Sequence, residues 1–287
     1  MNKMITSFRI NERDIILPVE ADRIEPGNNK IQFLEDDSPA KHASWADQGY
    51  TVINFLSIEE NILLKNNITD IIKKYLMQLS IDTEGFSLEK YHTFVTTEQH
   101  LTLIEKIRAG SQGTGGIPFD DLIISTDRLD KELSEICNVD VTCRKLFNLG
   151  DNKTYKVGHF FVRIVRPGTS KDNNPPHKDT HIDRLRNAVN LYYPIAGSNA
   201  NSSLPIIPGS HLWSEQEIVR TYGDTLINGS KYNVPAIVAA SRGLSLITPD
   251  PQHGQAMVFT PYAIHGGGIN FNTETTRISL EIRFWKN

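Results

Sequence analysis

The chain has 287 residues, of which 39% are hydrophobic, so it is long and apolar enough to bury a large core. Its net charge of −4 excludes the strongly basic balance that is typical of nucleic-acid-binding proteins. The sequence shows no run of about 18 apolar residues and no hydrophobic region of a secretion signal, so we expect a cytoplasmic protein with its two cysteines, Cys137 and Cys143, reduced.

The N-terminal half predicts strands followed by helices. SFRINERDIILPVE, from Ser7, predicts one or two strands, and TVINFL, from Thr51, predicts another. Ser57 and Glu60 have the spacing of a capping box, which predicts a helix running to about Leu79. We expect its buried face to comprise Ile62, Leu63, Ile71, Ile72, Tyr75, Leu76 and Leu79. Two further helices are predicted at 97–109 and 127–136, and GSQGTGGIP, from Gly110, predicts a linker or lid.

From Tyr155 onwards the pattern is dominated by strands. KVGHFFVRIVRPG, NAVNLYYPI and TRISLEIRFW are runs rich in β-branched and aromatic residues, whereas LWSEQEIVRTYGDTL predicts a helix inserted between strands. Short strands separated by Pro/Gly turns predict a mainly β fold, a double-stranded β-helix or jelly roll, covered by helices. We expect one domain over 1–287, with a helical and strand-containing part at about 1–150 and the jelly-roll core at about 151–287.

Two His-x-Asp pairs follow each other in NNPPHKDTHID, which begins at Asn173. In extended backbone, residues two apart point to the same face, so His177 and Asp179 would converge while Lys178 points away. The next such pair is His181 with Asp183. Each pair could supply two of the three ligands of a 2-His-1-carboxylate site, which is typical of non-haem Fe(II) proteins. The spacing alone leaves the choice between the pairs open.

The C-terminal region adds a histidine and an arginine. His265 follows the apolar run of GQAMVFTPYAIHGGG, and Arg277 begins a run in which polar and apolar residues alternate. Arg277 and Ser279 therefore share one face of a predicted strand. This face is either the exposed side of an ordinary amphipathic strand or the wall of a cavity, where a guanidinium group would bind a carboxylate.

Four motifs, HKD, IIPGSH, GQAMVFTPYAIHGGG and RIS, in this order, resemble those of the phytanoyl-CoA dioxygenase family of Fe(II)/2-oxoglutarate-dependent oxygenases. DQGYTVINFLSIEENILLKNNI is similar to that family's opening strand and helix, so the resemblance covers about 44–285. It implies a metal site and a site for the far carboxylate of 2-oxoglutarate. The implied residues are His177, Asp179 and His265 for Fe(II), and Arg277 helped by Ser279 for 2-oxoglutarate.

The activity that the resemblance implies is hydroxylation by O2, with succinate and CO2 as co-products. We expect the substrate to be a small, polar metabolite, such as a sugar or amino-acid derivative, rather than a long acyl chain. Relatives that halogenate lack the carboxylate, so Asp179 favours hydroxylation. Two alternatives stay open: a jelly-roll metal enzyme that does not use 2-oxoglutarate, and a non-catalytic binding module of the same fold. We expect a small-molecule partner, no nucleic acid and no membrane, and the sequence does not predict the oligomeric state.

Several other residues also receive assignments. The resemblance implies a structural role for His211, while His181 is interpreted as a neighbour of the metal, a cavity-wall residue or an exposed histidine. Arg163 is a candidate for pointing into the site, and residues 212–252, which lie between motif-bearing stretches, are predicted to form a lid. The remaining histidines show no partner pattern and are interpreted as ordinary: His42, His92, His100, His159 and His253.

Overall fold

Strands make up most of the structure, a computed structural model that describes residues 1–28, 33, 38–109, 116–148, 154–168, 172 and 174–287. The helices in these ranges are α1 (Ile58–Met77), α2 (Tyr91–Phe94), α3 (Thr97–Ala109) and α4 (Thr126–Cys137). The strands are β1 (Asn2–Ile10), β2 (Arg13–Pro26), β3 (Tyr50–Asn54), β4 (Ile117–Pro118), β5 (Val141–Thr142), β6 (Lys145–Asn148), β7 (Thr154–Val157), β8 (His159–Val165), β9 (Ala188–Ala196), β10 (Ile218–Ile227), β11 (Ser230–Tyr232), β12 (Ile237–Ala240), β13 (Ser245–Leu246), β14 (Gln255–Phe259) and β15 (Arg277–Lys286). The mainly β jelly-roll architecture with covering helices is confirmed.

A seven-stranded antiparallel sheet carries the helices on one face. Its order is β3-β14-β9-β15-β8-β4, with β5 also paired to β15. The apolar residues of β15, such as Ile278 and Leu280, belong to the core that the helices cover. Since side chains alternate along a strand, Arg277, Ser279 and the other polar residues of β15 point to the opposite face of the sheet, which we call the inner face.

Helix α1 begins as predicted. Ser57 Oγ accepts a hydrogen bond from the Glu60 amide at 3.2 Å, and the Glu60 carboxylate accepts one from the Ser57 amide at 2.8 Å, which completes the capping box. The buried stripe repeats every four residues: Leu64, Ile68, Ile72 and Leu76. The expectation that Ile62 and Leu63 lie on this face is wrong, because they are rotated from Leu64 by about 200° and about 100° around the helix and are exposed.

A second sheet is extended by short segments into a closed ring. Its strand order is β11-β10-β2-β1-β13, and β12 also pairs with β10. Backbone hydrogen bonds between short segments close the ring: β12 bonds to 176, 177 pairs with 265, and 206 pairs with both 265 and 247. Residue 247 directly follows β13, which pairs with β1. The ring holds the backbones of His177 and His265 side by side. Its buried apolar cluster comprises Phe8, Ile10, Ile15, Ile207, Ile218, Ile237, Leu244, Leu246 and Ile264.

Residues 212–252 do not form a lid, and the helix expected at LWSEQEIVRTYGDTL is absent. The segment supplies strands β10 to β13, all paired within the ring. A short 3-10 turn, Glu215–Glu217, leads into β10. The β-branched residues of β10 favour a strand. β10 lies between β12, which follows it closely in the sequence, and β2, which is distant in the sequence.

Both sheets combine strands from both halves of the chain. The β1–β2 hairpin lies in the second sheet, and β3 pairs with β14 in the first. The single domain, and its division near residue 150, stay predictions.

Three smaller predictions concern the cysteines, a loop and the helices. Cys137 and Cys143 are buried and free, as expected for reduced thiols. Most of the loop predicted from Gly110, residues 110–115, lies outside the described residues. Among the helices in the described ranges, none is long and apolar enough to cross a membrane.

Candidate metal centre

His177, Asp179 and His265 lie together where the ring meets the inner face of the seven-stranded sheet. Their potential ligand atoms all lie within 4.8 Å of one another, and all three residues are buried. His177 Nε2 lies 3.4 Å from Asp179 Oδ1, and His265 Nε2 lies 3.9 Å from Asp179 Oδ2. Two imidazole nitrogens and one carboxylate converging in this way can hold a metal ion and leave other coordination positions open.

Reciprocal backbone hydrogen bonds bring the two histidines together. The His177 amide donates to the His265 carbonyl at 2.9 Å, and the His265 amide donates to the His177 carbonyl at 3.0 Å. Within the side chains, Nδ1 of His177 lies 2.7 Å from the carbonyl oxygen of Pro175, and Nδ1 of His265 lies 3.0 Å from that of Ala263. Because a carbonyl oxygen only accepts, both Nδ1 atoms carry the proton and both Nε2 atoms keep a lone pair for a metal.

The glycine after His265 makes room for the His177 ring. Gly266 has φ +92°, in the region that favours glycine, and a Cβ atom there would lie 2.9 Å from His177 Nδ1. The glycine run that marks this motif in the sequence therefore has a steric role next to the centre.

Asp179 reaches the histidines from a turn. The backbone is extended at Lys178 (φ −113°, ψ 142°), and a 3-10 turn begins at Asp179, so the extended conformation expected for the whole His-x-Asp pair holds only up to Lys178. Asn190 on β9 donates to Asp179 Oδ2 at 2.9 Å, and Arg283 Nη2 on β15 lies 3.5 Å from the same oxygen. Asn190 and Arg283 were not singled out by the sequence, in which they read as ordinary strand residues.

The protonation states suit metal binding. Burial, with a smaller contribution from the neighbouring His177, lowers the pKa of His265 to about 4, so the His265 ring is neutral near pH 7. Burial alone would raise the pKa of Asp179, but the positive charge of Arg283 and the neighbouring histidines hold it well below its ordinary value. The centre thus presents a neutral imidazole and a carboxylate, the forms that bind metals.

The second His-x-Asp pair does not join the cluster. The Asp183 side chain is 86% exposed and pairs with Arg186. His181 is half-buried, and its Nδ1 donates to the Lys178 carbonyl at 3.0 Å. Among the described residues, the cluster that can hold a metal contains the first pair and His265.

The predicted 2-oxoglutarate residues lie on the inner face of β15. Arg277 is buried, and its guanidinium carbon lies 5.8 Å from the centre of the Tyr192 ring. Tyr192 packs in one cluster with Phe259, whose ring lies 4.8 Å from that of His265. Ser279 Oγ is buried and has no hydrogen-bond partner among the described residues. The strand face that carries Arg277 and Ser279 is therefore buried inside the protein rather than exposed.

His211 makes contacts of a structural kind. Its Nε2 lies 2.7 Å from the Ala46 carbonyl oxygen, and its ring packs edge-on against Phe33 at 4.9 Å. Arg163 on β8, which the sequence offered as a residue pointing into the site, forms an ion pair with Glu281 on the inner face.

No protein-family model matches this sequence, and the comparison with curated proteins found no match either. Solved structures with a similar fold include EctD from S. alaskensis with 2-oxoglutarate and 5-hydroxyectoine (TM-score 0.49, 15% identity, 93% of this chain and 85% of that chain covered). Others are AviO1 from Streptomyces viridochromogenes Tue57 (TM-score 0.45, 14% identity, 86% and 93% covered) and the non-heme alpha ketoglutarate dependent epimerase SnoN from nogalamycin biosynthesis (TM-score 0.44, 12% identity, 86% and 79% covered). At these values the similarities assign no activity to this chain, and membership of the phytanoyl-CoA dioxygenase family stays a prediction.

Proposed function

We propose that this protein is a non-haem Fe(II)- and 2-oxoglutarate-dependent dioxygenase that hydroxylates a small, polar molecule. The observation that carries the proposal is the convergence of two imidazole Nε2 atoms and one carboxylate in a buried cluster within 4.8 Å. This donor set is the one typical of non-haem Fe(II) oxygenases, whereas four sulfur or nitrogen ligands would indicate a structural zinc site.

Each residue of the site has a task in this reaction. His177, Asp179 and His265 would hold Fe(II), with the ring orientations set by Pro175 and Ala263. When bound, iron together with 2-oxoglutarate and O2 supplies the oxidising power for hydroxylation, with succinate and CO2 as co-products.

The cosubstrate subsite would be built by β15. Arg277 would donate two parallel hydrogen bonds to the far carboxylate of 2-oxoglutarate, and the Ser279 hydroxyl would add a third. Their burial excludes water, which strengthens these charge-assisted hydrogen bonds. A buried arginine and an unsatisfied hydroxyl on this strand face favour 2-oxoglutarate chemistry over a metal enzyme of the same fold that does not use this cosubstrate.

The test is succinate release by the purified protein. Protein with Fe(II), 2-oxoglutarate and O2 should form succinate slowly even without a primary substrate, and the Asp179→Ala variant should not. A metabolite extract screened under the same conditions should contain a compound that becomes heavier by one oxygen atom. Metal binding without any 2-oxoglutarate-dependent succinate would refute the dioxygenase and favour a binding module or a metal enzyme of another type.

A further inference from the structure

Three charged side chains line the inner face of the seven-stranded sheet beside the candidate metal centre. Glu281 and Arg283 lie on β15, and Arg163 lies on the neighbouring strand β8. Arg163 Nε lies 3.0 Å from Glu281 Oε2, and Arg283 Nη2 lies 3.5 Å from Asp179 Oδ2. The three side chains, here named the Arg163–Glu281–Arg283 cluster, are 31%, 21% and 19% exposed. The cluster thus adjoins the metal ligands and is still open to a molecule that enters from solvent.

The cluster has an excess of positive charge. Its two guanidinium groups face one carboxylate, Glu281, and burial of Glu281 is outweighed by Arg163 and Arg283, which keep its pKa below the ordinary value. Arg163 is matched by Glu281, whereas the carboxylate nearest to Arg283 is Asp179, a proposed metal ligand. A metal bound by Asp179 competes for that negative charge, so Arg283 is then left without a full counter-charge of its own.

The guanidinium group of Arg283 is also held in place and incompletely bonded. Its central carbon lies 5.1 Å from the centre of the Phe161 ring, and β15 is paired on both sides, by β8 and β9. Its Nε has no hydrogen-bond partner among the described residues. This Nε is itself buried, whereas the Arg283 side chain as a whole is 19% exposed, and a partly exposed guanidinium group in a fixed position is suited to bind an anion.

We propose that the Arg163–Glu281–Arg283 cluster is a subsite for a carboxylate group of the primary substrate, with Arg283 as the main contact. This inference rests on the proposed function, because it places the substrate next to the metal. One net positive charge matches a monoanionic carboxylate, whose planar shape fits the guanidinium fork. A phosphate dianion would bring a second negative charge towards Glu281.

This subsite is separate from the one assigned to 2-oxoglutarate. Arg277 and Arg283 share a face of β15, and a strand rises about 3.3 Å per residue, so their backbones lie about 20 Å apart. Arg277 packs on Tyr192, whereas Arg283 reaches Asp179 and Phe161. The two arginines can therefore bind carboxylates of two different molecules.

The test measures binding rather than turnover. Full-length protein loaded with Mn(II) and 2-oxoglutarate is mixed with a set of amino acids and hydroxy acids and their matched primary amides, and the retained compounds are identified by mass spectrometry. Wild-type protein should retain at least one acid about 10- to 100-fold better than its amide, the range expected for a charge-assisted hydrogen bond. The Arg283→Gln variant should lose this preference, and Arg9→Gln, which changes an exposed arginine paired with Asp14, should keep it.

Three results of this retention assay would overturn the subsite: equal retention of acids and amides, retention of no acid at millimolar concentration, or an unchanged preference in Arg283→Gln. Arg283→Lys keeps the charge but loses the planar guanidinium fork, so this variant should show an intermediate preference. It replaces Arg283→Gln where the Gln variant does not fold.

Calorimetric titration of 2-oxoglutarate into the same proteins separates the subsite from the proposed dioxygenase activity. Loss of 2-oxoglutarate binding in Arg283→Gln would assign Arg283 to the cosubstrate and overturn the subsite. Arg283-dependent acid binding by a wild-type protein that does not bind 2-oxoglutarate would support the subsite and refute the dioxygenase.

Discussion

Lys178 and Glu215 form a buried ion pair directly behind the candidate metal centre. Lys178 Nζ lies 2.8 Å from Glu215 Oε1, and the two side chains are 1% and 7% exposed. Lys178 stands between His177 and Asp179 in the sequence and points away from them, as its position in the His-x-Asp pair predicts. The second oxygen of Glu215 accepts a hydrogen bond from Arg220 on β10. One carboxylate therefore links Lys178, which lies between two metal ligands in the sequence, to strand β10.

This arrangement predicts a large loss of stability in Glu215→Gln. The substitution leaves Lys178 and Arg220 buried without their counter-charge, and breaking a buried ion pair by removing one partner typically costs about 3–5 kcal/mol. Denaturant unfolding followed by circular dichroism measures the change. Glu217→Gln, two residues away, is the control, because glutamine also serves at this position of a capping box and the unfolding midpoint should hardly change. Equal midpoints for both variants would show that the buried pair contributes nothing.

The second prediction concerns the metal ligands. His177→Ala, Asp179→Ala and His265→Ala should each abolish tight binding of Fe(II) while the protein stays folded, because each removes one of the converging ligand atoms. Metal content after dialysis, measured by atomic spectrometry, checks this, and the melting curve reports on folding. Asp183→Ala is the matched control, since its carboxylate is exposed and pairs with Arg186. Loss of iron from the control, with iron retained in Asp179→Ala, would reverse the assignment of the two pairs.

Arg277→Lys should raise the 2-oxoglutarate concentration needed for binding by about 10-fold or more. Lysine keeps the charge but cannot make the two parallel hydrogen bonds of a guanidinium group, and a charge-assisted hydrogen bond contributes about 1.5–3 kcal/mol. Calorimetric titration of 2-oxoglutarate into the Mn(II)-loaded protein measures the change, and Mn(II) affinity should stay the same. A 2-oxoglutarate affinity in Arg277→Ala equal to that of the wild type would disprove the role of Arg277.

Local sequence signals predicted individual helices and strands, but they did not predict which distant strands pair with each other. The capping box at Ser57 and the alternation along β15 depend on neighbouring residues, and both are found as predicted. The ring depends on β10 pairing with β2, which comes about 200 residues earlier, and no local pattern encodes this partner. The segment around β10 was therefore interpreted as a helix and a lid.

The candidate site also contains residues that the sequence identified and residues that it did not. Spacing left two His-x-Asp pairs open, and the family resemblance selected His177, Asp179 and His265, which the structure brings together. Asn190, which orients Asp179, and Arg283 were missed, because their importance comes from the neighbours across strands rather than from their own sequence context. The polar face of β15, with four polar residues in alternation, was the signal that could have identified Arg283.

The strands in residues 212–252 predict that this segment is essential for folding. Replacing it by a short Gly/Ser linker removes β10 to β13 and opens the ring, so we expect loss of native circular dichroism and of a cooperative melting transition. The control is an insertion of two serines between Asn228 and Gly229, at the tip of the β10–β11 hairpin, where added loop length is well tolerated. A deletion variant that melts cooperatively would restore the interpretation of this segment as a lid.

The last prediction concerns acid stability and the buried carboxylate of Asp172. Arg166 Nε lies 2.8 Å from Asp172 Oδ2, and His100 Nε2 lies 3.4 Å from Oδ1, so His100, interpreted as ordinary from the sequence, belongs to a buried charge cluster. Burial alone would raise the pKa of Asp172, but the hydrogen bonds from Arg166 and His100 hold it well below the ordinary value of 3.8. A lowered pKa in the folded state contributes stability that is fully present above the unfolded pKa and is lost as the pH falls towards the folded pKa.

Asp172→Asn should therefore lower the free energy of unfolding by about 3 kcal/mol at pH 7, and its difference from the wild type should shrink below about pH 4. Denaturant unfolding from pH 7 to pH 3 measures this, with Asp120→Asn, at an exposed ion pair, as the control that should differ little from the wild type. A difference between wild type and Asp172→Asn that stays constant down to pH 3 would contradict the prediction.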